Sequence, residues 1–164
     1  MEKWIIIGFI ILFFFLGLVV VPQKEEWIIE RLGRFSRTLK PGLNFIIPYI
    51  EYVKAKVPTK DIIYIEPQKI FTKDLVKIEV DIIVFIKVKS SEKAVYEVEY
   101  YPLDIEYLLI STFHTLIGNM TLEEVLKNRD KIKLTLKKTM NKKVKDWGII
   151  INSIEIQRIE PIKK

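Results

Sequence analysis

Residues 4–21 (WIIIGFIILFFFLGLVVV) carry no charge, and their only hydrogen-bonding side chain is the indole of Trp4. Whatever this chain folds into must find a place for eighteen consecutive residues that water does not want. At 1.5 Å rise they make a helix of about 27 Å, close to the hydrocarbon core of about 30 Å. Fifteen of the eighteen are Ile, Leu, Phe or Val, and their summed insertion free energy is on the order of −6 kcal/mol. A cleaved signal peptide wants several positive charges, a shorter apolar run and a small-x-small cleavage site. Here the run is preceded by one lysine, Lys3, and ends Val-Val-Val-Pro-Gln. Residues 1–21 therefore read as a transmembrane anchor, with Trp4, Ile5, Phe9, Phe13, Phe14, Phe15, Leu18 and Val21 in the hydrocarbon. Two alternatives stay open: a re-entrant hairpin bent at Pro22, and a secreted or anchored binding domain released by signal cleavage. Trp4 and Trp27 stand near the two ends of the run, where aromatic belts form.

Orientation follows from the flanking bases. Lys3 and the amino terminus lie on one side; Lys24, Arg31, Arg34, Arg37 and Lys40 lie on the other. The positive-inside rule places the following domain in the cytoplasm, as a single-pass membrane protein.

The 143 residues after the anchor (164 less 21) suffice for a real core. With no cysteine, the chain has no disulfide, thiolate nucleophile or Fe–S site, and with one histidine, His114, it has no two-His metal motif. Strands are predicted at 25–32, in 43–57 around Pro48, at 61–66 and at 75–89. In the last of these, Val76, Ile78, Val80, Ile82, Val84, Ile86 and Val88 alternate strictly and define a core face. Helices follow at 91–99, with a Ser cap, at 102–117, ended by Gly118, and at 121–147. The third is opened by the capping box Thr121-Leu-Glu-Glu124 and stopped by Gly148. A closing strand covers 149–159. Strands first, then helices, then a strand describe an α+β domain with helices on one side of an antiparallel or mixed sheet. The organisation expected is an anchor at 1–21, a β-rich subdomain at 22–74, an α/β subdomain at 75–161 and a truncated tail at 162–164.

The net charge of +6 has an address. Residues 121–145 contain nine Lys or Arg against three acids. Lys127, Lys131, Lys138, Lys142 and Lys145 are the candidate basic face, either solvated or turned to anionic lipid or a neighbouring subunit. Aromatics do not interleave with these lysines, so nucleic acid is not expected as a partner. No GxSxG, P-loop, GxGxxG or HExxH is present. His114 sits mid-helix with no carboxylate partner assignable from spacing. A second, enzymatic reading would need a hidden nucleophile such as Ser111 or Ser153. No enzyme activity and no cofactor are expected.

The order of segments is recognisable. Ile28-Ile29-Glu30-Arg31-Leu32-Gly33-Arg34-Phe35 is followed by Thr38-Leu39-Lys40-Pro41-Gly42-Leu43-Asn44-Phe45-Ile46-Ile47-Pro48, then Phe71-Thr72-Lys73-Asp74 and Val80-Asp81. Ala94 to Glu99, Ile117 to Glu123, Asn128 to Ile132, Trp147-Gly148-Ile149 and Ile154-Glu155-Ile156 complete the series, with Ile159 and Pro161. In this order the chain resembles the stomatin/prohibitin/flotillin family, the SPFH or band-7 domain, and is most similar to prokaryotic stomatins. The resemblance implies a non-enzymatic membrane scaffold that forms homo-oligomers, organises a membrane microdomain and regulates neighbours such as a membrane serine protease of the NfeD type. It also implies contact with membrane lipids. With the residues between 43 and 50, apolar enough to dip into the interface, the expected membrane-interface set is Trp27, Arg31, Arg34, Phe45, Ile46, Ile47 and Tyr49. Two departures from the family stand out. The family continues into an Ala- and Glu-rich coiled coil, whereas this chain stops at Lys164 with only Ala55 and Ala94. It also tends to carry a basic residue near position 114, where this chain has His114.

Overall fold

The computed structural model describes residues 2–162, except for the side chains of Glu2, Ile5, Phe9, Ile10 and Ile11. The predicted placements of Ile5 and Phe9 in the bilayer, and the last two residues of the expected tail, lie outside what is described. The chain divides into two compact units that meet at Thr59 and Lys60.

The first unit opens with α1 (Glu2–Gly17) and strand β1 (Leu18–Val21). The sequence predicts one helix through Val21; the structure ends it at Gly17. The reason lies 28 residues downstream. Strand β4 (Gly42–Phe45) takes Leu18–Val21 as its antiparallel partner, with Val20 opposite Leu43. The Ile46 N–H donates to the Gly17 carbonyl at 2.8 Å, and the Phe45 ring stacks on Phe14 with centroids 5.3 Å apart. Val21 then enters the core with Ile29 and Leu39, at 2% exposure. Among the described residues no helix is long and apolar enough to cross a membrane; sixteen residues span about 24 Å.

The rest of this unit is a three-stranded antiparallel sheet in the order β3-β2-β5 (Arg34–Leu39, Glu25–Arg31, Glu51–Pro58). The predicted strand at 25–32 is β2. β3 lies between the predicted strands at 25–32 and 43–57, where the sequence predicts no strand. Its register with β2 slips at Ile29/Glu30, a bulge that spoils any simple alternation. The predicted break at Pro48 is real: β4 ends at Phe45 and β5 starts at Glu51.

The second unit is an antiparallel sheet in the order β6-β7-β8 (Lys60–Phe71, Lys77–Val88, Ile149–Pro161). The alternation predicted over 75–89 holds from Ile78 onward: Ile78, Val80, Ile82, Val84, Ile86 and Val88 are all buried, whereas Val76 precedes β7 and is half-buried. Helices α2 (Ser91–Tyr96), α3 (Tyr101–Ile117), α4 (Leu122–Lys127) and α5 (Arg129–Lys143) follow. α3 packs against β6 and α5 against β8. Ile105, Leu109, Phe113 and Ile117 of α3, and Ile132, Leu136 and Met140 of α5, recur at four-residue steps and are buried. The predicted helix 121–147 is three pieces. The capping box at Thr121 and Glu124 is present, but Asn128 leaves helical geometry (φ −110°, ψ 28°) and its amide donates to the Glu124 carbonyl, closing α4. A 3-10 turn at Lys145–Trp147 ends at Gly148, whose φ of +70° suits glycine. The cap of α2 is Ser90 rather than Ser91, which is buried.

Two edge strands are guarded differently. β6 carries Pro67, which has no N–H to offer, beside a bulge between Ile65 and Gln68. On β8 the Asn141 side chain does the work of a further strand: its amide accepts from the Ile151 N–H (2.9 Å) and donates to the Ile151 carbonyl (3.1 Å).

Candidate membrane-facing surface

In α1 every residue from Trp4 to Gly17 is apolar, so the helix has no wet face. A helix of this kind belongs in a protein core or in lipid. Here Trp4, Phe13, Phe14, Phe15 and Leu16 are exposed. Their exposure continues into the β1–β4 pair, where Val20 and Leu43 face each other at 68% and 71% exposure. Contiguous apolar surface of this kind marks an interaction site.

A second exposed apolar group is formed by Leu32, Tyr49 and Ile50. The Leu32 N–H donates to the Ile50 carbonyl at 3.3 Å. Tyr49 is 93% exposed and adopts φ +67°, a left-handed conformation that a bulky residue rarely takes. Beneath this tip lies a charge cluster. The Glu51 side chain is fully buried and accepts from Arg31 (2.7 Å), Arg37 (2.7 Å) and the Ile47 N–H (2.9 Å). Arg37 also donates to the Phe45 carbonyl at 2.8 Å. Burial alone would push the Glu51 carboxyl up, but hydrogen bonds from Arg37, Ile47 and Arg31 outweigh it and bring it down to about 2. The segment between Phe45 and Glu51 is thus held at both ends by one carboxylate, and its apolar tip is presented rather than folded away. Nearby, Tyr52 donates to Glu30, which raises the Tyr52 hydroxyl.

The expected interface residues divide accordingly. Tyr49 is at the surface. Phe45, Ile46 and Ile47 are half-buried: Phe45 on Phe14, Ile46 on the Val21–Ile29–Leu39 core. Trp27 is also half-buried, donating to Glu25 at 2.8 Å under the Lys56 ammonium, 4.3 Å from its ring centre. Arg31 is committed to Glu51, whereas Arg34 is exposed. In the expected membrane set, Trp4 and Phe13–Phe15 are exposed on α1, but Leu18 and Val21 belong to β1. Sequence reasoning missed the pairing of Val20 with Leu43, the exposed Leu32 and the Arg37–Glu51 clamp. The only trace of the clamp was a lone acid at the end of the apolar run 43–50.

In α5, Lys131, Lys138 and Lys142 recur at seven- and four-residue steps, opposite Ile132, Leu136 and Met140, and form one exposed stripe. Lys127 lies on α4, paired with Glu123, and Lys145 lies in the 3-10 turn. The Ser111 hydroxyl is spent on the Leu108 carbonyl at 3.0 Å. Among the described residues no group of three or more His, Asp or Glu side chains is placed to hold a metal.

Residues 19–164 match the SPFH domain / Band 7 family. The chain belongs to this family. It is 39% identical over 160 residues to an uncharacterized protein of Methanocaldococcus jannaschii, covering 96% of this chain and 80% of that one. It is 33% identical over 146 residues to an uncharacterized protein of Mycobacterium tuberculosis, covering 88% of this chain and 38% of that one. It is 31% identical over 140 residues to human stomatin-like protein 2, mitochondrial, covering 85% of this chain and 39% of that one. The chain therefore spans about two fifths of the length of the mycobacterial and human relatives. SPFH proteins are membrane-associated scaffolds, not enzymes.

Proposed function

We propose that this SPFH chain is a membrane-anchored, oligomerising scaffold that organises a membrane microdomain and regulates neighbouring membrane proteins, a membrane serine protease of the NfeD type among them. The observation that carries the reading is α1: a helix apolar on all sides, exposed, and continuous with the exposed Val20–Leu43 pair. α1 enters the bilayer, and the β1–β4 pair and the Tyr49 tip meet headgroups on the side from which it enters. The bases that follow α1 favour a cytoplasmic domain. The lysine stripe of α5 contacts anionic lipid, each base within a Debye length contributing about 1 kcal/mol. Removal of residues 1–21 by a signal peptidase is disfavoured, because it would strip β4 of its partner strand and the core of Val21.

Membrane fractionation of the full chain tests the anchor. The protein stays in the membrane pellet through alkaline carbonate, and Phe14→Asp with Leu16→Asp releases it. Recovery of the unmodified chain in the aqueous fraction would overturn the reading.

A further inference from the structure

The strand pair β1–β4 stands at the end of α1 under two opposed demands. It is four residues long on each side, and no third strand joins it. A two-stranded ribbon of this kind is marginal in water by itself. Val21 holds it at one end, packed in the core with Ile29 and Leu39, and Val19 leans on the same cluster. Val20 and Leu43, directly opposite each other, are exposed. Hydrocarbon would cover these two side chains, but it does not tolerate the open backbone edge of a sheet. In a chain anchored through α1, the pair is therefore confined to the headgroup layer for as long as it remains a pair.

That confinement leaves α1 short. Its uncharged part, residues 4–17, is fourteen residues and about 21 Å long, against a hydrocarbon core of about 30 Å. Leu18, Val19 and Val20 are the residues that can lengthen it. All three are apolar, and rewound onto α1 they extend its uncharged part to about 26 Å. Their N–H groups then bond the carbonyls one turn back, inside the helix, as lipid requires. The two arrangements exclude each other at one atom. The Gly17 carbonyl accepts from the Ile46 N–H at 2.8 Å in the strand pair; in a continued helix it accepts from the Val21 N–H. Pro22 disfavours helical geometry at Val21, so the rewinding stops at Val20 and Val21 keeps its place in the core.

We propose that Leu18–Val20 is a segment switched by bilayer thickness: a strand on β4 in a thin bilayer, and the last turn of α1 in a thick one. The proposal rests on the membrane-anchored reading above and adds a moving part to it. A span shorter than the hydrocarbon must thin the bilayer around it, at a cost that grows with every ångström of mismatch. Loss of the β1–β4 pair costs the same at every thickness, so thickness sets the balance. The far end of β4 stays where it is, because Arg37 holds the Phe45 carbonyl at 2.8 Å and Glu51 holds the Ile47 N–H at 2.9 Å. The part released is Gly42, Leu43 and Asn44.

Amide exchange tests this in the full chain reconstituted in phosphatidylcholine vesicles. Short-chain lipid gives a hydrocarbon core of about 22 Å and long-chain lipid one of about 32 Å. Going from thin to thick, residues 42–45 exchange roughly tenfold faster, while residues 18–20 exchange more slowly. The chain has no cysteine, so Val20→Cys with Leu43→Cys can be oxidised before reconstitution to hold the strand pair; directly opposed strand residues suit a disulfide. In the locked protein residues 42–45 exchange slowly at both thicknesses, and reduction restores the response. Exchange that is the same at both thicknesses, or that quickens in 18–20 and 42–45 alike, overturns the switch and leaves the anchored reading standing, since the protein is still in the vesicles. A response that persists in the locked protein also overturns it. A chain that fails to float with either kind of vesicle defeats the anchored reading and the switch together.

Discussion

At the scale of single residues, two positions decide how the first unit shows its apolar surface. A methyl group at Gly17 would run into the Phe45 ring and the Ile46 carbonyl, so Gly17→Ala forces β4 away from α1. Overpacking of this kind costs about 1–3 kcal/mol. The expected readout is faster amide exchange in β1 and β4, with β6–β8 unaffected. Glu51 is the other position. Its carboxyl is held near 2 against an ordinary 4.5, so the charged form is favoured in the folded state. That contribution, about 3 kcal/mol at most, is complete above pH 4.5 and is lost as the pH falls from 4.5 toward 2. Glu51→Gln removes it at neutral pH and leaves Arg31 and Arg37 short of an acceptor, a destabilisation of about 2–4 kcal/mol. Unfolding of the first unit, followed by amide exchange in β2, β3 and β5, then loses most of its dependence on pH below 4.5. An unchanged acid transition in the variant would show that the clamp is not what acid breaks.

Among the elements, legibility in the sequence follows how local the deciding forces are. β7 was plain because six β-branched side chains enforce a period of two over a strand with no bulge of its own. The capping box at Thr121 was plain because its four residues interact only with each other. The end of α1 was not plain. Gly17 and the β-branched run Val19–Val21 weaken a helix without stopping it; pairing with Phe45 and Ile46, 28 residues away, ends it. The break at Asn128 also escaped, since the apolar spacing runs smoothly from Val125 to Ile132 and only a side-chain bond to Glu124 reveals it. Because of that break, the basic block divides into a lysine stripe on α5 and separate groups on α4 and the 3-10 turn. The stripe carries its own expectation. Lys131→Glu, Lys138→Glu and Lys142→Glu together reverse three exposed charges without touching the buried face. Binding of the full chain to anionic vesicles drops, its salt dependence flattens, and thermal stability shifts by well under 1 kcal/mol per site. Equal binding before and after would move the stripe away from lipid.

For the whole molecule, family membership and the bare helix α1 point the same way: a scaffold attached to a bilayer through its first unit. On the proposed reading, Val20, Leu43 and Tyr49, all exposed on the first unit, lie at or below the headgroups. In a chain without cysteine, a single label can be put there by Leu43→Cys or Tyr49→Cys. With the labelled full chain reconstituted in vesicles containing lipid-borne quencher, both labels are quenched strongly. Weak quenching at both positions would contradict the claim that the first unit is seated in the membrane.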